Sequence, residues 1–145
     1  MESIAANVPL HEYCSWKVGG PAEYFAEPHD IASLDHAQQW ALDRNLPIAV
    51  LGSGSNVLIS DQGIKGLVIC MRSFRGSEIR EEGGQLFIVT FAGTPKSEIM
   101  RIFTKYRLAP ALFLAGLPGD MGGGVVMNAG VGSHIQPMGG SFTSR

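Results

Sequence analysis

Apolar residues along the first half of the chain fall into short runs and one helical stripe. Residues 22–27, Ala-Glu-Tyr-Phe-Ala-Glu, predict a short strand entered through the turn Gly19-Gly20-Pro21. Asp30 then suits a helix N-cap, and Ile31, Leu34, Ala37, Gln38, Ala41 and Leu42 recur at helical spacing up to Arg44 and Asn45, ahead of Pro47. The uninterrupted apolar run Ile48 to Leu51 reads as a buried strand. Strand, helix and strand within about 30 residues is the size of a parallel crossover unit. Whatever follows Leu51 then lies at the carboxyl end of a strand, the edge where open sheets of this kind hold ligands. Further on, Gly63 to Gly66 reads as a turn into a second buried strand, Leu67 to Met71.

The pattern changes after Met71. Arg72 to Gly84 is polar and rich in turn residues, which places a boundary there between two subdomains, 1–71 and 72–145. Leu86 to Phe91 predicts another strand. Thr94 and Pro95 open a second helix, with Pro at the first helical position and Ile99, Ile102, Phe103 and Tyr106 on its apolar face.

Two glycine-rich stretches interrupt these elements. The first, Leu51-Gly52-Ser53-Gly54-Ser55-Asn56-Val57, leaves the predicted strand as a turn with almost no side chains and many short donors. Such a turn can wrap a diphosphate, because glycine lets backbone N–H groups approach closely while Ser53, Ser55 and Asn56 add polar groups. The same residues also build any tight turn, and the loop by itself leaves both readings open. The second stretch is Gly116-Leu117-Pro118-Gly119-Asp120-Met121-Gly122-Gly123-Gly124, running on to Asn128-Ala129-Gly130. It reads either as a loop packed tightly on a neighbour or as a second cradle of bare backbone, to which Asn128 adds an amide.

Composition narrows the partners. At 145 residues the chain has the size of one domain, and its net charge of −2 offers no broad basic field for nucleic acid. No apolar stretch reaches the roughly 20 residues of a membrane span, and Met1 to His11 lacks the regions of a signal peptide, so a cytoplasmic location is expected. There Cys14 and Cys70 stay reduced and serve as small packing residues. His11, His29, His36 and His134 show no ligand spacing with either cysteine, and no metal site is expected. Ser53 and Ser55 have no assignable His partner, which argues against a nucleophile. Glu81 and Glu82 read as a solvated turn. Lys17 reads as a surface lysine, with phosphate contact as its functional alternative.

Taken in order, Trp16-Lys17-Val18-Gly19-Gly20-Pro21-Ala22, then Leu51 to Leu58, then Gly116-Leu117-Pro118-Gly119, then Gly122-Gly123 and Asn128-Ala129-Gly130 resemble the UDP-N-acetylenolpyruvoylglucosamine reductase (MurB) family over about Leu10 to Pro137. The resemblance implies an α+β, FAD-binding PCMH-type fold like that of vanillyl-alcohol oxidase, with a small α/β subdomain and an incomplete larger α+β subdomain. It implies that Gly52 to Asn56 hold the pyrophosphate of FAD. Gly116 to Gly119, Asp120, Gly122, Gly123 and Asn128 to Gly130 would line the rest of the cofactor. The family reaction passes hydride from NADPH through FAD to an enolpyruvyl UDP-sugar, for peptidoglycan synthesis.

Two departures accompany the match. Family enzymes continue into a substrate domain carrying catalytic groups, whereas this sequence stops at Arg145 and matches nothing from Met138 onward. It reads as a truncated or degenerate copy, although an artificial boundary would look the same. No catalytic residue is assigned. At Asp120 the family commonly has Ser or Thr. A carboxylate only accepts hydrogen bonds and brings negative charge toward a diphosphate, unless it points away or caps the following segment. Three functions follow from the resemblance: a flavin-binding protein unable to react alone, an enzyme completed by a second chain or copy, and a remnant or interaction module that has lost FAD.

Overall fold

The computed structural model describes residues 4–107 and 114–129. Four strands form the first sheet in the order β1-β2-β4-β3: β1 is Ala5–Pro9, β2 Pro21–Ala26, β3 Ile48–Leu51 and β4 Ile64–Cys70. β1 runs antiparallel to β2, while β2 and β3 both lie parallel to β4. Helix α1, Ile31–Leu42, makes the crossover between β2 and β3, as the strand-helix-strand spacing predicts. Its N-cap is Asp30, whose carboxylate accepts from the Ser33 amide at 2.7 Å while the Ser33 hydroxyl accepts from the Asp30 amide, a reciprocal capping box.

The buried face of α1 is narrower than its sequence stripe. Ala37 and Ala41 are buried against β4, with Leu34 and Trp40 alongside, whereas Ile31 and Leu42 face solvent. Two alanines at the contact let the helix sit close to the sheet, which leaves the ends of the stripe outside. β4 is the centre of the sheet, and Leu67, Val68 and Ile69 have almost no exposed surface. Each of these side chains contributes about 1.5–3 kcal/mol of burial.

Two strand readings need correction. The run Ile48–Leu51 is an edge strand, with Val50 70% exposed, because β4 pairs it on one side only. An apolar run cannot tell a covered strand from an edge strand. Residues 63–66 are not a simple turn: Ile64 to Gly66 already belong to β4, where an extra residue breaks the pairing with β2 between Ala22 and Tyr24. Gly66 absorbs this bulge at φ +83°. Its amide donates to Glu23 Oε2 at 2.8 Å, and a Cβ there would meet Pro47 O at 2.2 Å.

The second sheet is an antiparallel hairpin of β5, Ser77–Glu82, and β6, Gln85–Thr90, turned at Gly83 and Gly84. β5 falls inside the stretch expected to be irregular, since charged Glu78, Arg80, Glu81 and Glu82 mask its alternation. Helix α2, Lys96–Lys105, begins one residue later than expected. Pro95 is its N-cap, in extended backbone at ψ 138°, and not its first helical residue. Ile99 is buried, with Ile102 and Phe103 packed around it, while Tyr106 is exposed. A six-residue helix, α3, spans Met121–Val126. Phe74 and Ala92, which flank the hairpin, pack into the apolar cluster that includes Ala37 and Ala41 of α1 and Leu67 and Ile69 of β4, so the ends of the hairpin are tied to that core. Among the described residues, no helix is long and apolar enough to cross a membrane.

Candidate functional site

The first glycine loop starts where β3 ends, beside the carboxyl end of β4. Leu51 anchors it in the core, and Val57 packs against the same cluster on the far side. At Gly54 the chain passes so close to the segment 13–14 that a Cβ would lie 2.0 Å from Tyr13 O, and the residue sits at φ +72°. Gly54 O accepts from the Ser15 amide at 3.0 Å. This glycine therefore fastens the loop to the fold. The amides of Gly54, Ser55 and Asn56 donate to no acceptor among the described residues, which leaves a row of three adjacent donors.

The second glycine segment meets the first. A Cβ at Gly119 would lie 2.7 Å from Ser55 Oγ and 3.2 Å from Ser53 Oγ, so the two stretches are in contact although more than 60 residues apart in sequence. Three backbone bonds strap this segment to residues 92–96. Lys96 N donates to Gly119 O at 3.2 Å, Met121 N to Thr94 O at 2.9 Å, and Gly122 N to Ala92 O at 2.8 Å. Pro118, Gly119 and Asp120 line an open cleft of about 310 Å³ together with Ser53, Arg72 and Arg75. That volume is at the low end for ligand pockets, which run from roughly 300 to 1,000 Å³.

Asp120 lies inside this contact, 4% exposed. Its Oδ1 accepts from the Gly123 amide at 3.1 Å and so caps α3, while Oδ2 accepts from the Ser53 amide at 2.7 Å. It therefore does both things the sequence left open, capping a helix and facing the first loop.

The remaining expected site residues divide. Ser53, Leu117, Pro118, Gly119 and Asp120 line the cleft, and Gly52 lies directly against the Asp120 carboxylate. Gly122 is pressed onto Ala92, and Gly123 serves the cap. Gly116 faces open space. Asn128 and Ala129 close the other end of α3, donating to Val125 O and Gly124 O, away from the cleft. Gly130 lies outside the described residues. Lys17 is exposed and donates to Glu12 O at 3.4 Å. Cys14 and Cys70 are both buried free thiols of the first core cluster. Among the described residues no group of three or more His, Cys, Asp or Glu could hold a metal.

Three contributors escaped the sequence reading. Arg72, just past β4, donates from Nη2 to Ser53 O at 2.9 Å and lies over the Tyr13 ring at 5.0 Å. Arg75 donates from Nε to Arg72 O beside the same cleft. Lys96, buried, donates from Nζ to Pro118 O at 2.7 Å. Burial pushes the Lys96 ammonium below its ordinary value, and the negative charge of Asp120 opposes that fall. A cation in the first turn of a helix is electrostatically misplaced, and that signal was available at Lys96. Arg72 and Arg75 carried none, since they sit in a stretch that reads as solvated turn.

A crossover sheet with a bare loop at its carboxyl edge, closed by a second bare segment strapped to another unit, defines a dinucleotide-holding class of fold. The chain belongs to the FAD-binding domain family, whose model matches residues 22–142. The match continues past Met138, where the resemblance was expected to stop. Within that family the chain is similar to the FAD-binding portion of the UDP-N-acetylenolpyruvoylglucosamine reductases. It is 41% identical to the reductase of Synechococcus sp. (strain WH7803) over 88% of its own length and 40% of that protein's. With the Prochlorococcus marinus (strain NATL2A) reductase it shares 40% identity, over 90% of this chain and 44% of the relative. The crystal structure of the Thermus caldophilus reductase superposes with a TM-score of 0.67 at 30% identity, covering 90% of this chain and 44% of the other. The fold is thus the PCMH-type, α+β FAD-binding fold. The chain spans about 40% of the length of the curated relatives it matches.

Proposed function

We propose that this chain holds FAD as the flavin-binding part of a UDP-N-acetylmuramate dehydrogenase system, with no catalytic residue of its own. The observation that carries the reading is the meeting of the two glycine segments, with Gly119 against Ser53 and Ser55. The residues fit the group: the three amides from Gly54 to Asn56 donate to no acceptor among the described residues, and Arg72 and Arg75 bring positive charge to the cleft. Residues 52–56 would hold the pyrophosphate, and Leu117 to Gly119 would line the adjoining part. FAD bound there would supply hydride chemistry, with an enolpyruvyl UDP-sugar as acceptor, as the relatives' name suggests, and NADPH as donor, as the family resemblance implies. The chain's own groups bind and orient. Arg72 fixes the Ser53 carbonyl, and Lys96 fixes Pro118, so both segments are set before any ligand arrives.

The reading includes a cytoplasmic setting and a second chain or copy supplying the substrate groups. Val126, 82% exposed, and Met127 beside it leave an apolar surface for such a partner. One observation favours the other reading, a module that has lost FAD: the Asp120 carboxylate already occupies one loop amide. An absorbance spectrum and an FAD thermal-shift titration of the purified protein separate the two. Flavin bands or a rise in melting temperature with FAD support the proposal. Colourless protein with no shift at millimolar FAD overturns it.

A further inference from the structure

We infer that Asp120 is an internal competitor for the anion of the ligand, and that its carboxylate, by holding the Ser53 amide, sets how tightly a diphosphate can bind. The inference rests on the flavin reading and deepens it by naming the residue that governs affinity.

The geometry is that of a carboxylate held where an anion is expected. Both of its oxygens are engaged by backbone amides, one from each glycine segment, Ser53 at 2.7 Å and Gly123 at 3.1 Å. A Cβ at Gly52 would lie 2.6 Å from Oδ2, so the carboxylate is laid directly on bare main chain. The next three amides of the loop have no protein partner among the described residues. Asp120 thus takes the first donor of a row and leaves the rest.

Its charge is incompletely balanced. Among the described residues no cation lies within ion-pairing distance of it. Lys96, approaching from α2, is committed to Pro118 O, while Arg72 is committed to Ser53 O and Arg75 to Arg72 O. A diphosphate settling on the free amides meets an adjacent negative charge and lacks the Ser53 donor. Hydrogen bonds to a charged acceptor are the strong ones, so denying one of them weakens binding.

Asp120→Ser tests this with the least damage, because serine also caps helices and can keep the Gly123 bond while releasing the Ser53 amide. FAD affinity, read by flavin fluorescence titration of the full chain, is expected to tighten by about 10- to 100-fold, the worth of one hydrogen bond to a charged group. Riboflavin, which carries no phosphate, serves as the control, and its affinity should not change. Equal FAD affinity in wild type and variant overturns the inference while leaving the flavin reading intact. An equal gain for FAD and riboflavin also overturns it, since the effect would then not pass through the anion. Failure of both proteins to bind either ligand refutes the flavin reading and the inference with it. Should Asp120→Ser not fold, Asp120→Asn, which keeps the shape and removes the charge, carries the comparison with the same expected direction. Ser53 amide exchange in the ligand-free wild type gives a further readout: a protected amide is expected, and an unprotected one overturns the inference.

Discussion

Replacing Gly54 by alanine isolates the contact that fastens the first loop, and Gly83→Ala provides its control. Both glycines have positive φ, +72° and +58°. A Cβ in that conformation costs about 1–2 kcal/mol in either place. At Gly83 nothing lies within 4 Å of the added methyl, so the cost ends there. It is partly offset, because alanine loses about 0.4–1 kcal/mol less chain entropy on folding. At Gly54 the methyl would sit 2.0 Å from Tyr13 O and 2.7 Å from Cys14 Cα, both backbone atoms that no rotamer change can move. Overpacking of that kind adds roughly 1–3 kcal/mol. With the same entropy offset at both sites, the totals are about 1–5 kcal/mol for Gly54→Ala and about 0–1.6 kcal/mol for Gly83→Ala. At roughly 3–5 °C per kcal/mol for a domain of this size, melting temperatures should fall by roughly 3–25 °C and by no more than about 8 °C, respectively, with the Gly54→Ala fall exceeding the other by the overpacking cost. Circular-dichroism melts measure both. Equal shifts would refute the reasoning, because the left-handed backbone and not the approach to Tyr13 would then be what demands glycine.

Lys96→Met keeps the stem of the side chain and removes its bond to Pro118 O, so a loss of about 1–2 kcal/mol in urea unfolding is expected, with weaker FAD binding; unchanged values for both would show that the lysine does not fix the wall. Glu23→Ala strips the acceptor from the bulge amide of Gly66 and should cost about 1–3 kcal/mol, whereas substitution of the neighbouring exposed Lys65 should cost little, and equal effects would remove the bulge explanation. Burial pushes the Cys70 thiol above its ordinary value of 9.0, with the Arg72 amide as the main opposing influence. The unfolded chain therefore loses this proton first, so the stability the thiol contributes is complete below about pH 9 and is lost as pH rises toward the folded value. Denaturation midpoints of wild type should decline above about pH 9 more steeply than those of Cys70→Val, and parallel declines would contradict this assignment.

How far the chain could be read in advance depended on whether the signal was local. The capping box at Asp30, the crossover from β2 through α1 to β3, and the placement of a glycine loop at a strand's carboxyl end all follow from residues close in sequence. The bulge at Gly66 looked like a turn because Gly63-Ile64-Lys65-Gly66 has turn composition, and only pairing with β2 shows one extra residue inside a strand. Val50 looked buried because an apolar run does not reveal whether a neighbouring strand will cover it. β5 was hidden by its charges, since it exposes them on both faces and its pairing with β6 is a tertiary fact. At the site, sequence supplied the two bare stretches and the suspicion about Asp120. It could not supply Arg72 or Arg75, whose roles exist only once distant segments have met, and at Lys96 it offered only a cation misplaced in the first turn of a helix.

That meeting is organised around a single residue. Ser53 has its amide held by Asp120 at 2.7 Å and its carbonyl held by Arg72 at 2.9 Å, so one peptide segment is gripped from both sides by ionisable side chains of opposite sign. Arg72 comes from the end of β4 and also lies over Tyr13, the residue whose carbonyl Gly54 must pass. Asp120 comes from the segment strapped to residues 92–96. The first loop is therefore positioned jointly by the parallel sheet and by the unit that carries α2 and α3. A ligand reaching such a loop spends little on ordering it, which favours binding. The same grip withholds the Ser53 donor, which opposes binding. Preorganisation and competition arise here from one carboxylate, so a substitution at Asp120 should change ligand affinity and loop order in opposite directions, whereas one at Arg72 should lower both.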